Sequence, residues 1–157
     1  MNTFFRFAFL PLFFSVCFYS SAKAQCSVSN IVETNKVKIA PPYLYDGFAL
    51  TQFTMDEKTK TMRTEFMALK GQEYRLYICT SNFDDTLSVS VYDTKKMEKG
   101  EREEIFNAKT KKGEPLVFDV LKKSMYTIEY SIPVCENAEY GVTKNECVIV
   151  LISYKEK

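Results

Sequence analysis

The run Lys70-Gly71-Gln72-Glu73-Tyr74-Arg75-Leu76-Tyr77-Ile78-Cys79-Thr80-Ser81-Asn82-Phe83-Asp84-Asp85-Thr86-Leu87-Ser88-Val89-Ser90-Val91-Tyr92-Asp93 is compatible with few folds. Tyr74, Leu76 and Ile78 alternate with Glu73, Arg75, Tyr77 and Cys79, and Leu87, Val89 and Val91 alternate with serines. A period of two sends one set of side chains to each face of a strand, whereas a helix would scatter the same residues around its axis. The polar segment Thr80 to Asp85 between them suits a turn, so the stretch reads as a hairpin whose first strand carries a cysteine.

The same period recurs along the chain. Met62, Thr64, Phe66 and Ala68 oppose Arg63 and Glu65, and Tyr126, Ile128, Tyr130 and Ile132 share one face. Shorter strands are expected around Glu104 to Ala108 and Pro115 to Val120. Val148-Ile149-Val150-Leu151-Ile152-Ser153-Tyr154 is so continuously apolar that it must be buried on most of its surface. No sustained helical stripe and no internal repeat occur. Gln25 to Ala40, with Ile31, Val32, Val37 and Ile39 interrupted by polar residues, suits an arm or a short edge strand. Pro41-Pro42 ends it, and Asp46-Gly47 signals a turn. Strands at intervals of roughly 8–12 residues imply an all-β chain, an antiparallel β-sandwich of jelly-roll-like form with about eight strands, with a closed barrel as the alternative.

The N-terminus sets the compartment. Arg6 precedes an almost unbroken apolar run from Phe7 to Tyr19, followed by Ser20-Ser21-Ala22-Lys23-Ala24, the pattern of a secretory signal peptide cut after Ala24. The run is too short to span a bilayer, which takes roughly 20 residues. Neither Cys17 nor Cys26 is preceded by the leucine and small residues of a lipid-attachment site. The chain then divides into a signal peptide at 1–24, an N-terminal arm at 25–42 and one β-sandwich domain at 43–157, a product secreted or periplasmic and not membrane-spanning. Without Arg6 and Lys23, two of the 21 basic residues, basic and acidic side chains nearly balance, and nothing electrostatic favours nucleic acid.

Cys26, Cys79, Cys135 and Cys147 remain after cleavage, an even number in an exported chain, which favours disulfides. Of three pairings, Cys135 with Cys147 closes a polar loop between two apolar strands, and Cys26 with Cys79 ties the arm to the body. Zinc would need close CxxC pairs, which are absent.

Chemistry is sparse. The chain has no histidine and no tryptophan, and beyond Ala24 neither a GxSxG nor an SxxK motif, so the commonest general base and metal ligand are missing. No catalytic activity and no cofactor are expected. Asp84, Asp85 and Asp93 are the best placed for calcium, but adjacent acids in turns more often bond their own backbone. The lysine- and glutamate-rich stretch from Thr94 to Gly113 mixes both signs, as solvated loops around a short strand do. Tyr43-Leu44-Tyr45-Asp46-Gly47-Phe48-Ala49-Leu50-Thr51-Gln52-Phe53 is dense in aromatics, and Tyr43, Tyr45, Phe48 and Phe53 are either core residues or a partner-binding surface.

Taken together, Leu69 to Ile78, Asp84 to Asp93, Pro115 to Phe118 and Ser124 to Tyr130 resemble the bacterial pre-peptidase C-terminal (PPC) domain and its jelly-roll relatives. There, a glycine turn precedes a tyrosine strand, and a strand introduced by aspartate ends in an aspartate turn. The resemblance covers roughly residues 45 to 154 and implies an eight-stranded, non-catalytic accessory module on exported proteins. The expected role is an interaction module of a bacterial cell envelope binding a protein partner, with carbohydrate binding through exposed tyrosines as the alternative. Intact-mass analysis and N-terminal sequencing of the exported protein are expected to place the first residue at Gln25, with no acyl group on any cysteine.

Overall fold

The computed structural model describes residues 26–80, 86–94, 103–135, 141 and 143–156. The signal peptide expected at 1–24 lies outside them. Eight strands and one short helix follow in the order α1 (Val28–Lys36), β1 (Leu44–Met55), β2 (Lys60–Met67), β3 (Gln72–Thr80), β4 (Ser88–Asp93), β5 (Glu104–Lys109), β6 (Leu116–Val120), β7 (Met125–Ile132) and β8 (Lys144–Glu156). They form two four-stranded antiparallel sheets, β1-β8-β3-β6 (sheet A) and β2-β7-β4-β5 (sheet B). Eight strands in this order make a jelly-roll β-sandwich.

The topology corrects the local reading of the opening stretch. β3 belongs to sheet A and β4 to sheet B, so the two are not a hairpin. Of the consecutive strand pairs, β4 and β5 are the one joined within a sheet; every other connection crosses from sheet to sheet. Alternation specifies which face of a strand is apolar, but it is silent on which neighbour supplies the hydrogen bonds. β3 instead lies between β8 and β6, with Leu76 opposite both Ile152 and Phe118, and Ile78 opposite both Val150 and Leu116.

The main core fills the space between the sheets. Leu76 and Ile78 from β3, Val148 and Val150 from β8, Phe53 and Met55 from β1, Val89 and Val91 from β4, and Ile128, Tyr130 and Ile132 from β7 interlock there. Phe66 meets Tyr74 edge-on at 5.1 Å between ring centroids, and Phe106 and Phe118 close the far side at 5.0 Å. Asp46-Gly47 proves to be a bulge within β1 rather than a turn: the register with β8 shifts between Tyr45 and Gly47. The extra residue changes the phase of the strand. Beyond it Ala49, Thr51, Phe53 and Met55 point inward while Phe48 and Leu50 point out.

The two outer faces differ. That of sheet B is polar, with Arg63 donating to Glu129 at 2.7 Å and Asn107 to Ser90 at 3.0 Å. That of sheet A is apolar at its centre, where Tyr77, Cys79, Cys147, Ile149 and Leu151 form a second buried cluster. α1 covers this cluster, which corrects the expectation of a short edge strand between 25 and 40: the segment is helical. Val28, Ile31 and Val32 fall on one helical face at i, i+3 and i+4 and pack on the cluster, and Asn35 donates its side-chain amide to the Ile31 carbonyl at 2.9 Å. Nine residues are too few for a helix stable by itself, so the sheet beneath it supplies the stability.

The cysteines follow the same geometry. Cys26 is bonded to Cys147, across 121 residues of sequence, with Cα atoms 6.0 Å apart. Cys79 and Cys135 are buried thiols, so the expected pairs Cys135 with Cys147 and Cys26 with Cys79 are not the ones formed. β7 lies in sheet B and β8 in sheet A, so the chain between them crosses the sandwich. Cys135 stays in the core between the sheets, its amide donating to the Asp56 carbonyl at 2.9 Å, while Cys147 faces outward beneath α1. A layer of backbone separates them.

Truncation of Leu76, fully buried between the sheets, is expected to cost about 2–5 kcal/mol. Truncation of Ile31, at the rim of the outer cluster, is expected to cost less, because that site opens toward solvent. Urea denaturation of L76A and I31A measures both.

Candidate interaction surface and the cleft beside the helix

The bulge in β1 sorts the four aromatic candidates. Phe53, inward of it, is a core residue. Tyr43, just before β1, is buried beneath two cations: the Arg75 guanidinium carbon lies 4.4 Å from its ring centroid and the Lys155 ammonium 5.4 Å. Tyr45 packs against the cluster under α1, with the Lys36 ammonium 4.6 Å from its centroid. Only Phe48 of the four offers a broad open face, 46% exposed.

Tyr43 is held by cross-strand ion pairs. Arg75 on β3 faces Asp119 on β6 and grips it with two hydrogen bonds of 2.6 and 2.8 Å. Glu73 faces Lys155 on β8 at 2.8 Å, so the end of β8 is tied down rather than freely solvated. The Asp119 carboxyl is held below its ordinary value by the Arg75 guanidinium, and Arg75 is correspondingly raised. Such bidentate pairs fix both planes. The ring they cover is a structural residue, and its faces are not open to a ligand.

Phe48 has a neighbour that alternation in the sequence did not single out. Leu50 stands two residues on along the same outward row and is 39% exposed, while Leu44 at the start of the strand is 62% exposed. The signal was present: Thr51, Phe53 and Met55 share one phase, which leaves Phe48 and Leu50 on the other, and the bulge at the Asp46-Gly47 step brings Tyr45 onto that same outer face. Among the described strands β1 is an edge, paired with β8. From Gly47 to Met55 it carries no charged side chain.

A cleft of about 400 Å³ lies beside α1 on the same outer face. Asn30, Thr34 and Lys38 line it from the helix side, Lys112 to Pro115 from the turn before β6, Thr80 from β3, and Asn145 and Glu146 from the start of β8. Lys38 spans it, donating to the Gly113 carbonyl at 3.4 Å. Gly113 holds φ +74°, a left-handed conformation that other residues adopt rarely. Cys26 and Cys79 form part of the wall. Burial pushes the Cys79 thiol up to about 12, partly offset by Lys38, which leaves it a poor nucleophile.

Of the calcium candidates, Asp84 and Asp85 lie outside the described residues. Asp93 accepts a hydrogen bond from the Ser124 hydroxyl at 2.7 Å. Among the described residues no three His, Cys, Asp or Glu side chains are grouped to hold a metal ion, and no helix is long and apolar enough to cross a membrane.

No protein family matches the chain, and no curated protein does. Among solved structures, the CBM36-1 domain of a multidomain xylanase from the hindgut metagenome of Trinervitermes trinervoides aligns at 15% identity and a TM-score of 0.27, over 76% of this chain and 83% of that one. A likeness of that degree adds nothing to a fold already defined by strand pairing.

The buried thiol makes an alkaline prediction. The folded-state value of Cys79 lies above its ordinary one, so the unfolded chain loses the proton first. The stability contribution is complete below pH 9 and is lost as pH rises toward about 12. Tyr130, also pushed up to about 12 by burial, acts in the same direction. Denaturant titrations across this range are expected to show a shallower decline for C79A than for the parent chain.

Proposed function

We propose that this chain is an exported, non-catalytic β-sandwich module of the bacterial cell envelope that binds a protein partner along β1, and that it belongs with the PPC-like jelly rolls it resembles. The observation that carries the binding reading is the edge strand itself. Its outer face presents Phe48 and Leu50 to solvent, one side of its backbone is not paired by another described strand, and no charged side chain guards it from Gly47 to Met55. Natural edges are commonly protected by lysine, proline or inward-pointing charge. An extended segment of a partner added to such an edge gains main-chain hydrogen bonds, and its alternate side chains meet the apolar row.

Carbohydrate binding is the weaker reading. It depends on open tyrosine faces against which sugar rings stack, and Tyr43 and Tyr77 are buried while Tyr45 lies partly beneath Lys36. Export is supported by the signal-peptide pattern at the N-terminus and by the Cys26–Cys147 disulfide, a bond that persists in oxidising compartments. The absence of histidine and of a recognised nucleophile motif supports the non-catalytic reading.

The test compares the parent chain with F48D/L50D in capture from envelope extract, beside a glycan array. Both substituted side chains face solvent, so the melting temperature is expected to stay within a few degrees of the parent. Loss of an apolar anchor of this kind typically costs about 2 kcal/mol, so capture of the partner is expected to weaken at least about thirtyfold. Undiminished capture by the double variant, or glycan binding by both proteins, would overturn the proposal.

A further inference from the structure

Three of the four mature cysteines meet on one face of one sheet. The β3–β8 register places Cys79 opposite Ile149 and Thr80 opposite Val148, which puts Cys147 diagonally across from Cys79 on the adjacent strand. Diagonal neighbours lie about 7–8 Å apart. Both side chains belong to the buried cluster beneath α1, against which Cys26 also packs, and Cys26 and Cys79 line the same cleft. Cys135 stands apart, in the core between the sheets.

We propose that Cys26 has two alternative partners on this face, Cys147 and Cys79, and that intramolecular thiol–disulfide exchange moves the anchor of α1 from β8 to β3. In the step, Cys79 gives up its proton and the thiolate attacks the Cys26 sulfur. A Cys26–Cys79 bond forms, the Cys26–Cys147 bond breaks, and the electron pair leaves on Cys147, which takes up a proton. One disulfide and one thiol stand on each side of the reaction, so neither oxidant nor reductant is consumed.

Geometry selects Cys26 as the member that moves. Cys79 and Cys147 sit on paired strands of one sheet, and the diagonal spacing exceeds the roughly 6.8 Å that a disulfide usually spans between Cα atoms. Cys26 lies outside the sheet, two residues before a short helix. Adjacent strands are about 4.8 Å apart, and α1 already touches both β8 and β3, so a shift of one strand keeps it on the same apolar surface. That shift carries the start of α1 toward the β3 side and narrows the cleft between the helix and the Lys112 to Pro115 turn.

The surroundings of Cys79 set the pace. Lys38, just past the end of α1, favours its thiolate, Lys112 and Glu114 from the turn and Glu146 from β8 also face the cleft, and burial opposes ionisation. The exchange is therefore slow at neutral pH and accelerates about tenfold per pH unit while the thiol remains mostly protonated.

The test is disulfide mapping of the exported protein under non-reducing conditions. In C147A, a Cys26–Cys79-linked peptide is expected, with one titratable thiol, that of Cys135, after denaturation. Three thiols in a C147A chain with parental circular dichroism would overturn the proposal. Should C147A fail to fold, the parent chain decides: held at pH 9 and quenched in acid, it is expected to accumulate the Cys26–Cys79 peptide, about a hundredfold faster than at pH 7, while C79A is expected to keep its Cys26–Cys147 peptide undiminished over the same time. No such peptide at pH 9, or a Cys26–Cys135 peptide in equal amount, which marks scrambling through the unfolded chain, would overturn it.

Discussion

Strand β8 is the element on which the rest of the structure depends. It pairs with β1 along one edge and β3 along the other, contributes Val148 and Val150 to the core between the sheets, and offers Cys147, Ile149 and Leu151 to the helix outside. A strand wetted on one face would leave half of these side chains in water, and full burial of each is worth about 1.5–3 kcal/mol. Both faces must be covered, and the two covers are different objects. The inner one is a second sheet, and the outer one is a nine-residue helix.

That difference explains the uneven surface of the molecule. Sheet B needs no cover, because its outer row carries polar side chains such as Arg63, Glu129, Asn107 and Ser90 that pair with one another. Sheet A has an apolar outer centre, and a helix of nine residues is only about 14 Å long. It shields the parts of β8 and β3 that are most apolar and stops short of the edge strand. Phe48 and Leu50 are what it leaves open. At the opposite end of the same face, the Arg75–Asp119 and Lys155–Glu73 pairs close over Tyr43. One face of one sheet thus holds the disulfide, the cleft and the open apolar row.

Much of this architecture was legible in the residues. Period-two alternation located the strands to within a few residues, and the unbroken apolar run from Val148 to Tyr154 correctly demanded burial on both sides. What misled was adjacency in the chain. β3 and β4 read as a hairpin because a polar turn joins them, and Cys135 and Cys147 read as a pair because twelve residues separate them. In a jelly roll most connections change sheets, so neighbours in sequence become opposite layers in space. The helix was missed for another reason: three apolar residues at helical spacing do not make a stable helix in water, and its surface partner comes from strands 40 to 120 residues away.

The sequence by itself determined that this chain would be all-β, because alternation is a property of each strand and needs no partner to be read, and it favoured an antiparallel sandwich over a closed barrel. It also determined that cysteine chemistry would matter, through the even number left beyond the signal-peptide pattern. Only the tertiary structure decided which cysteines meet, which aromatic residues are covered and where an apolar surface stays open. Those outcomes depend on the sheet to which each strand belongs, on a single bulge at Asp46-Gly47 that reverses the phase of β1, and on the reach of one short helix. Each is a matter of long-range register and layer order, set by the cooperative burial of side chains far apart in the chain.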